Sequence, residues 1–330
     1  MRAGIVDTIT RGFAGAVLWA AMLGVAGIVP QEASAQGWMP PPPEKRCPSQ
    51  WGVDDERGAA NLQTPQTVLK ATKLIREGKV YELGKLLDAS MPRSPGRSFA
   101  LELKRTGGPN GRNQQRGNEE TVYTELGQMG TQFDGLAHQG LGPYLYNCIE
   151  NDKVAARSGF AKLGVEKVGS LFTRGVMLDI ARLKGVDILP DDYEITVADL
   201  EEAMRRQEVD FGEADAVLIR TGWGRLYAVD NARFMKGEPG IGVAAAEFLA
   251  RRNVMMVGSD NWAVEVRPNP DRDLFLPVHG FMLTVNGIFL VENLDLEGLS
   301  RDKVNEFAFI VQPLKLKGGT GSSIAPMAVR

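Results

Sequence analysis

The sequence predicts an α/β fold in which helices pack on a largely buried sheet. Short apolar runs alternate with helical patterns from Val176 onward, as in chains that cover a sheet with helices. The chain has 330 residues, 43% of them hydrophobic, which is enough for one large domain or two small ones. Because we find no internal repeat, and no low-complexity tract beyond one proline run, a single domain is the simplest organisation.

Residues 1–35 have the order of a secretory signal peptide. Arg2 and Arg11 precede an apolar stretch from Gly12 to Val29, and Ala33-Ser34-Ala35 follows it. The alternative is a membrane-spanning anchor, but the stretch barely reaches the ~20 apolar residues that a span needs. We therefore expect cleavage after Ala35, no stable membrane insertion afterwards, and a secreted or periplasmic protein.

A proline-rich lead-in over residues 36–50 comes next. The run from Met39 to Pro43 is expected to be extended and not helical, so the folded domain is predicted to span residues 51–330. Cys47 lies in this lead-in. In an oxidising compartment it either pairs with Cys148 or both cysteines remain unpaired, and the sequence does not separate these outcomes.

The first predicted elements are a helix and a long excursion. The helix runs from Leu62 to Arg76, with Thr64 as its N-cap and Pro65 in the first helical position. The excursion, from Met91 to Gly117, contains one strand-like run, Ser98 to Lys104. Since long ordered loops in compact domains are usually functional, we expect a lid or a partner contact there.

Regular alternation of strands and helices begins after the excursion. The capping box Thr196-x-x-Asp199 marks the start of one helix, and apolar runs too short for helices mark buried strands. The predicted elements, in chain order, are strand Val176 to Ile180, helix Thr196 to Gln207, strand Ala216 to Arg220, helix Val243 to Arg252 and strand Val254 to Val257.

Composition restricts the function classes. Lys and Arg total 38 against 41 for Asp and Glu, and no dense basic run could follow a phosphate backbone, which argues against nucleic acid as a partner. The two cysteines are too few for a Cys-based zinc site, and the two histidines exclude an all-histidine metal cage. Any histidine chemistry must therefore use His138, His279 or both.

The first segment with candidate metal-ligating and catalytic side chains is Gly127 to His138. If its middle is extended, Gln128, Gln132 and Asp134 share parity and project three oxygen donors from one face of a strand. A turn would then let His138 fold back over that face. The alternative is a polar strand edge, followed by a loop in which Asp134 and His138 only satisfy turn backbone.

The second segment, His279 to Glu292, contains Asn286-Gly287 between two apolar runs. Asn-Gly is a strong hairpin signal because both central residues of a type I′ turn need positive φ. The predicted register places Glu292 opposite Phe281 and diagonal to His279, close enough for both side chains to reach one ion. The alternative is a His–Glu salt bridge at the end of a sheet.

These two segments contain both histidines of the chain, together with two carboxylates and further oxygen donors. Their coincidence predicts a metal-assisted enzyme. Because oxygen donors outnumber imidazoles, the set favours Mn²⁺, with Zn²⁺ still open, at one or two ions per subunit.

The segment Gln128 to His138 also lies without a gap on the motif H-x-G-T-H-x-D-x-P-x-H. In this respect the chain resembles the cyclase family of metal-dependent hydrolases, which includes bacterial kynurenine formamidase and isatin hydrolase. The resemblance implies a single α/β domain with a mixed, barrel-like sheet and flanking helices, a small-molecule substrate and a homodimer. It extends from Tyr81 to Ala325 through blocks in family order, namely Arg174 to Asp179, Ala216 to Trp223, Pro239 to Ile241, Val257 to Asp260 and His279 to Leu294.

The resemblance also implies roles for individual residues. His138 would be the catalytic histidine. The two glutamines of the motif are the departure from the family, which has ligand histidines there; a glutamine carbonyl oxygen is neutral and a poor zinc ligand. The candidate metal ligands are Asp134, His279, Glu292, Gln128 and Gln132.

The reaction expected from the ligand cluster and the resemblance is metal-assisted hydrolysis of a carbon–nitrogen or carbon–oxygen acyl bond, in a cyclic amide, a lactone or an aryl formamide. The ion would activate water, and His138 would accept its proton. Phe133, Trp223 and Trp262 are candidate walls of a substrate pocket, with a place in the core as the alternative. Asp260 either orients a ligand or caps a turn. The rival function is an extracytoplasmic metal- or ligand-binding protein of the same fold without turnover.

Overall fold

A nine-stranded mixed sheet forms the centre of the molecule. The computed structural model describes residues 37–330, so the predicted signal peptide lies outside the described residues. The strands are β1 (Val80–Glu82), β2 (Phe99–Asn110), β3 (Gln115–Thr124), β4 (Gln132–Asp134), β5 (Ala155–Ala156), β6 (Gly159–Phe160), β7 (Leu171–Asp179), β8 (Glu194–Ile195), β9 (Ala216–Arg220), β10 (Gly240–Ile241), β11 (Met256–Ser259), β12 (Phe289–Glu292), β13 (Glu306–Val311), β14 (Gly321–Ser323) and β15 (Met327–Val329).

Helices surround the sheet, together with short 3₁₀ turns and one π-helical turn, Gly280–Val285. None of the helices within residues 37–330 is long and apolar enough to cross a membrane. The α-helices are α1 (Pro43–Arg46), α2 (Pro65–Thr72), α3 (Asn151–Val154), α4 (Ile180–Leu183), α5 (Val197–Gln207), α6 (Asn231–Lys236), α7 (Val243–Ala250), α8 (Pro277–His279) and α9 (Glu297–Arg301).

The strand order of the sheet is β1-β15-β13-β7-β9-β11-β12-β4-β14. Parallel pairing joins β7, β9, β11 and β12 at the centre, and antiparallel strands extend the sheet on both sides. The residues of β9, β11 and β12 are all buried, as expected for parallel strands with both faces covered. This curled sheet with flanking helices is the mixed, barrel-like α/β architecture that the resemblance implied.

Several predicted elements are confirmed. The strand Ala216 to Arg220 has the predicted bounds. Helix α5 begins directly after its predicted N-cap, Thr196. The predicted capping box forms: Thr196 Oγ1 accepts the Asp199 N–H at 3.3 Å, and Asp199 Oδ2 accepts the Thr196 N–H at 3.0 Å. Helix α2 has its predicted N-cap, Thr64, but ends earlier than predicted. Strand β7 begins before its predicted start because its first half pairs with β13.

The lead-in is more structured than predicted. Pro43 opens the short helix α1, because proline fits the first helical position, where an N–H would have no partner. A disulfide between Cys47 and Cys148, with Cα atoms 5.9 Å apart, joins this segment to the rest of the domain. Trp38 also packs edge-on against Phe281, with ring centroids 6.4 Å apart. The folded part therefore begins before residue 51.

The predicted excursion is a long β-ribbon. Strands β2 and β3 pair with each other, outside the nine-stranded sheet. Most of their side chains are exposed, including Leu101, Leu103 and Val122. The strand predicted at Ser98 to Lys104 is thus the first part of a longer strand. The prediction that the residues after it form a loop is wrong.

The hairpin predicted at Asn286-Gly287 is also wrong. Helix α8 begins at Pro277 and continues into the π-helical turn. Asn286 has φ −106°, and only the glycine of the pair has a positive φ, 64°, so the type I′ turn does not form. Strand β12 pairs instead with β11 and β4, which come from distant parts of the chain.

Candidate metal centre

One face of β4 and β12 forms the floor of the candidate site. Gln132 and Asp134 alternate with Phe133 along β4, and Glu292 on β12 lies directly opposite Gln132. The three polar side chains therefore share a face. Phe133 points the other way, into the core, where its ring centroid lies 4.8 Å from that of Phe289. Its predicted place in a pocket wall is wrong, because strand parity separates it from its polar neighbours.

His279 reaches this floor from the end of α8. Its Nε2 lies 3.2 Å from Glu292 Oε1 and 3.6 Å from Asp134 Oδ2, so the predicted approach to Glu292 occurs without the predicted hairpin. On the other side of the ring, Nδ1 lies 2.6 Å from Glu265 Oε1, which also accepts the backbone N–H of His279 at 2.9 Å. A carboxylate at Nδ1 holds a proton there and leaves Nε2 available to a metal ion.

His138 completes a group of three potential metal ligands. A turn after β4, closed by the bond of 3.0 Å from the His138 N–H to the Gly135 carbonyl, brings its Nε2 to 3.9 Å from Asp134 Oδ2. Asp134, His138 and His279 can each offer one ligand atom, and these atoms lie within 4.8 Å of one another. Asp134 Oδ2 is buried, and no donor in the described part of the chain reaches it. Since a buried carboxylate oxygen without a partner is costly, its position near both imidazoles suits a cation.

Gln128 and Gln132 act as hydrogen-bond donors in this arrangement. Arg97 donates to Gln128 Oε1 at 3.2 Å and to the Gln128 carbonyl at 2.8 Å. Because arginine has no acceptor atoms, it fixes the amide with its nitrogen toward Asp134 Oδ1, at 3.3 Å. Gln132 Nε2 donates to Glu292 Oε2 at 2.6 Å. The two amides hold carboxylates in place, which differs from the ligand role expected from the sequence.

The surroundings give the two histidines different proton affinities. Burial lowers the pKa of His279, but the three carboxylates around it outweigh burial and hold this pKa well above its ordinary value. Burial also lowers the pKa of His138, and Asp134 offsets only part of the change, so His138 is neutral near pH 7. Burial and the charge of Asp134 raise the pKa of Glu292.

Glu265 and Arg97 also belong to this site, and neither was predicted from the sequence. Glu265 is an isolated carboxylate within the apolar run Ala263 to Val266, and such an interruption of a buried run was a usable signal. Arg97 lies in the excursion together with Arg93 and Arg105, and no feature of the sequence sets it apart from them.

A cavity of about 320 Å³ opens onto this group of residues. Trp262 lies in its wall, and both histidines are among the residues that line it. The residues that line it include His138, Gln139, His279, Glu292, Trp262 and Arg267.

Trp223 and Asp260 do not line this cavity, which corrects two predicted contacts. Trp223 is fully buried in a separate apolar cluster, where its Nε1 donates to the Phe234 carbonyl at 3.2 Å. Asp260 caps a turn: its Oδ1 accepts the Thr221 N–H and its Oδ2 the Gly222 N–H, both at 2.8 Å. Both residues fill structural roles that the sequence analysis had left open.

Comparisons with known proteins agree with this architecture. The chain matches the sequence profile of a family described as "Putative cyclase" over residues 62–266, more than half of its length. A solved structure described as a novel cyclase is 34% identical, with a TM-score of 0.80, over 88% of this chain and 99% of that one. Isatin hydrolase A from Ralstonia solanacearum is 21% identical (TM-score 0.57, 81% of this chain and 98% of that one). Isatin hydrolase A from Labrenzia aggregata, bound to benzyl benzoate, is 19% identical (TM-score 0.56, 76% and 93%).

The two isatin hydrolases share the fold of this chain at low sequence identity. A comparison with curated proteins found no match. The family profile includes β4 and His138 and ends before α8 and β12, and the match to the 34% identical structure covers 88% of the chain. The chain belongs to the cyclase family.

Proposed function

We propose that this protein is a metal-dependent hydrolase of carbon–nitrogen or carbon–oxygen acyl bonds, in a cyclic amide, a lactone or an aryl formamide. The observation that carries the proposal is Asp134 Oδ2, which accepts no hydrogen bond from residues 37–330 and lies near the Nε2 atoms of His138 and His279. Both histidines line a cavity of the size that holds a small organic substrate. The fold shared with isatin hydrolase A supports including isatin, a cyclic amide, among the compounds to be tested.

Asp134, His279 and Glu292 would hold the ion, which we propose to be Mn²⁺ or Zn²⁺. When bound, the ion would polarise the substrate carbonyl and lower the pKa of water. Glu265 keeps the His279 proton on Nδ1 and so orients Nε2 toward Asp134 and Glu292. The unpartnered carboxylate oxygen, the oriented imidazole and the second carboxylate fit a divalent cation.

His138 would transfer the proton. Burial keeps the pKa of His138 below its ordinary value, so the neutral imidazole would accept a proton from the attacking water. Asp134, whose Oδ2 lies 3.9 Å from His138 Nε2, would stabilise the imidazolium that forms. The imidazolium would then give this proton to the leaving nitrogen or oxygen. Gln128 Nε2, 3.2 Å from His138 Nδ1, helps to position the ring.

The test is hydrolysis of isatin, phthalide and formanilide by protein that has been stripped with a chelator and reloaded with Mn²⁺ or Zn²⁺. We expect turnover to require the ion, and His138→Gln to retain the ion but lose at least about 100-fold in kcat. Turnover that survives chelation contradicts the proposal. A stoichiometrically metallated protein that binds these compounds without converting them contradicts it too, and favours the rival binding protein.

We also propose that the protein is secreted or periplasmic and forms a homodimer. The Cys47–Cys148 disulfide supports an oxidising compartment, and the exposed Leu101 and Leu103 on the β2–β3 ribbon support a partner surface. N-terminal sequencing of the exported protein should find Gln36 first, and light scattering should give the mass of two chains. A retained leader or a monomer contradicts the respective proposal.

A further inference from the structure

Arg267 and Trp262 form a fixed pair in the wall of the cavity. The guanidinium carbon of Arg267 lies 3.7 Å from the centroid of the Trp262 ring, and both residues are half-buried. Glu238 anchors both of them. Its Oε2 accepts the Trp262 N–H at 2.8 Å, and its backbone exchanges two hydrogen bonds with that of Arg267, at 2.8 and 3.0 Å. These bonds fix the backbone of both residues, and the stack on the Trp262 ring orients the guanidinium before any ligand arrives.

The side-chain donors of Arg267 are unused. Within residues 37–330, its guanidinium makes neither a hydrogen bond nor an ion pair. Arg220, by contrast, donates to Asp179 at 2.9 Å and to Glu297 at 2.8 Å. A guanidinium stays charged in proteins, and that of Arg267 lies in the lining of the cavity, where a ligand can reach its donors. The arrangement fits a cation that binds an anionic ligand.

We propose that Arg267 and Trp262 form a subsite for a carboxylate of the substrate, carried on an aromatic or other planar ring and remote from the bond that is cleaved. The inference rests on the proposed hydrolase function and narrows its substrate class. The planar fork of arginine matches the two oxygens of a carboxylate. Phe275 and Trp262, which line the same cavity, supply apolar surface for the ring.

The charges around the cavity favour this assignment. Glu292 lines the cavity and Glu265 lies behind His279, so a carboxylate that enters needs positive charge to compensate for them. Arg97 lines the cavity as well, but two of its five N–H donors already go to Gln128, which fixes its guanidinium next to that residue. Arg267 is the lining arginine with no side-chain hydrogen bond within residues 37–330, so all of its donors are open to the substrate.

The experiment compares kcat/KM for formanilide, for the 2-, 3- and 4-formamidobenzoates, and for 4-formamidobenzamide as a neutral analogue. We expect the wild-type protein to prefer at least one carboxylate isomer by about 10- to 100-fold, mainly through KM, the range of a hydrogen bond to a charged group. In the Arg267→Gln variant, kcat/KM for the carboxylate substrate divided by kcat/KM for the neutral analogue should fall to about one.

A matched control is available in Arg233→Gln. Arg233 also lies over a tryptophan, Trp223, at 5.1 Å, but it pairs with Asp191 and lies outside the cavity lining. The Arg233 variant should keep the wild-type preference for the carboxylate substrate. Loss of the preference in both variants would show a general effect of removing positive charge and would overturn the inference.

Equilibrium binding separates the inference from the proposed function. Calorimetric titration of the metallated protein with 3-aminobenzoate, a product analogue, should show about 10-fold weaker binding in Arg267→Gln. If this dependence holds but no compound is turned over, the hydrolase proposal fails and the carboxylate subsite stands. Equal affinity of both proteins, a carboxylate preference that survives Arg267→Gln, or a stronger preference for the corresponding sulfonate overturns the inference.

Discussion

Two buried aspartates, each at the end of a strand, have opposite surroundings. Asp260 follows β11, and both of its oxygens are occupied: Oδ1 accepts from the N–H and the hydroxyl of Thr221 at 2.8 and 2.6 Å, and Oδ2 from the Gly222 N–H at 2.8 Å. Asp134 ends β4. Its Oδ1 accepts a bond of 3.3 Å from Gln128, and its Oδ2 has no donor in the described part of the chain.

This difference separates a carboxylate that holds the fold from one that is available to a ligand. When the protein's own N–H and O–H groups fill the lone pairs of a buried carboxylate, that carboxylate is a structural cap. When a lone pair beside two imidazoles stays open, a cation is the partner that compensates its burial. Burial raises the pKa of both aspartates; the two histidines outweigh this for Asp134 and leave its pKa lowered, whereas the pKa of Asp260 stays raised.

The largest effect is expected for Asp134→Asn. The substitution keeps the shape of the side chain but removes the charge, so metal affinity should fall by more than the roughly 100-fold seen when a ligand's supporting partner is lost. Activity should fall with it. The metal-free variant should remain folded, because a repulsion between carboxylates disappears. Elemental analysis, turnover and urea unfolding measure the three quantities, and an Asn variant with stoichiometric metal would contradict the assignment.

A smaller effect on the same centre is expected for Glu265→Gln. The amide can still accept a hydrogen bond from His279 Nδ1, but it no longer strengthens the imidazole as a ligand, so metal affinity should fall about 10- to 100-fold. Competition with a chromophoric chelator measures this change. Glu247→Gln, on the surface of α7, is the control, and equal metal affinity in both variants would show that Glu265 has only a structural role.

Asp260→Asn tests the structural side of the comparison. An amide at this position replaces one acceptor by a donor that faces the N–H of Gly222 or Thr221, so the free energy of unfolding should fall by about 1–3 kcal/mol. Metal content per folded molecule should not change. Urea unfolding and elemental analysis of the same sample measure both quantities. Loss of metal at unchanged stability would place Asp260 in the site after all.

Local regularities explain what could be predicted from the sequence. Strand parity places Gln132 and Asp134 on one face, and this holds because a side-chain period of two depends only on the backbone. The capping box at Thr196 is likewise a contact within one turn of helix. The same parity places Phe133 on the opposite face from Gln132 and Asp134, so its assignment to a pocket wall beside them did not follow from the pattern.

Long-range pairing explains what could not be predicted. His279 and Glu292 meet although the hairpin does not form, because β11 and β4 supply the partners of β12 and helix α8 supplies the histidine. The partner of His279 on its other nitrogen, Glu265, comes from a separate loop. The role proposed for Arg267 depends on its guanidinium having no hydrogen-bond or ion-pair partner within residues 37–330, which no sequence pattern could predict.

The smallest effect is expected for Asp199→Asn. The carboxylate of Asp199 forms an ion pair with Lys184 in addition to its hydrogen bonds. Burial raises the pKa of Asp199, but its contacts with Lys184, Thr196 and Tyr193 outweigh burial and lower it below 3.8. The ionised form is thus more stable in the folded state, so its contribution is present above pH 3.8 and disappears as the pH falls through the lower folded value. At pH 7 the variant should lose about 1 kcal/mol of unfolding free energy, as for a lost N-cap, and the difference should shrink in a urea series taken down to about pH 2.5. The exposed Glu201→Gln in the same helix should show no such loss at pH 7. A pH-independent deficit would mean that the capping hydrogen bonds, and not the charge, stabilise this end of the helix.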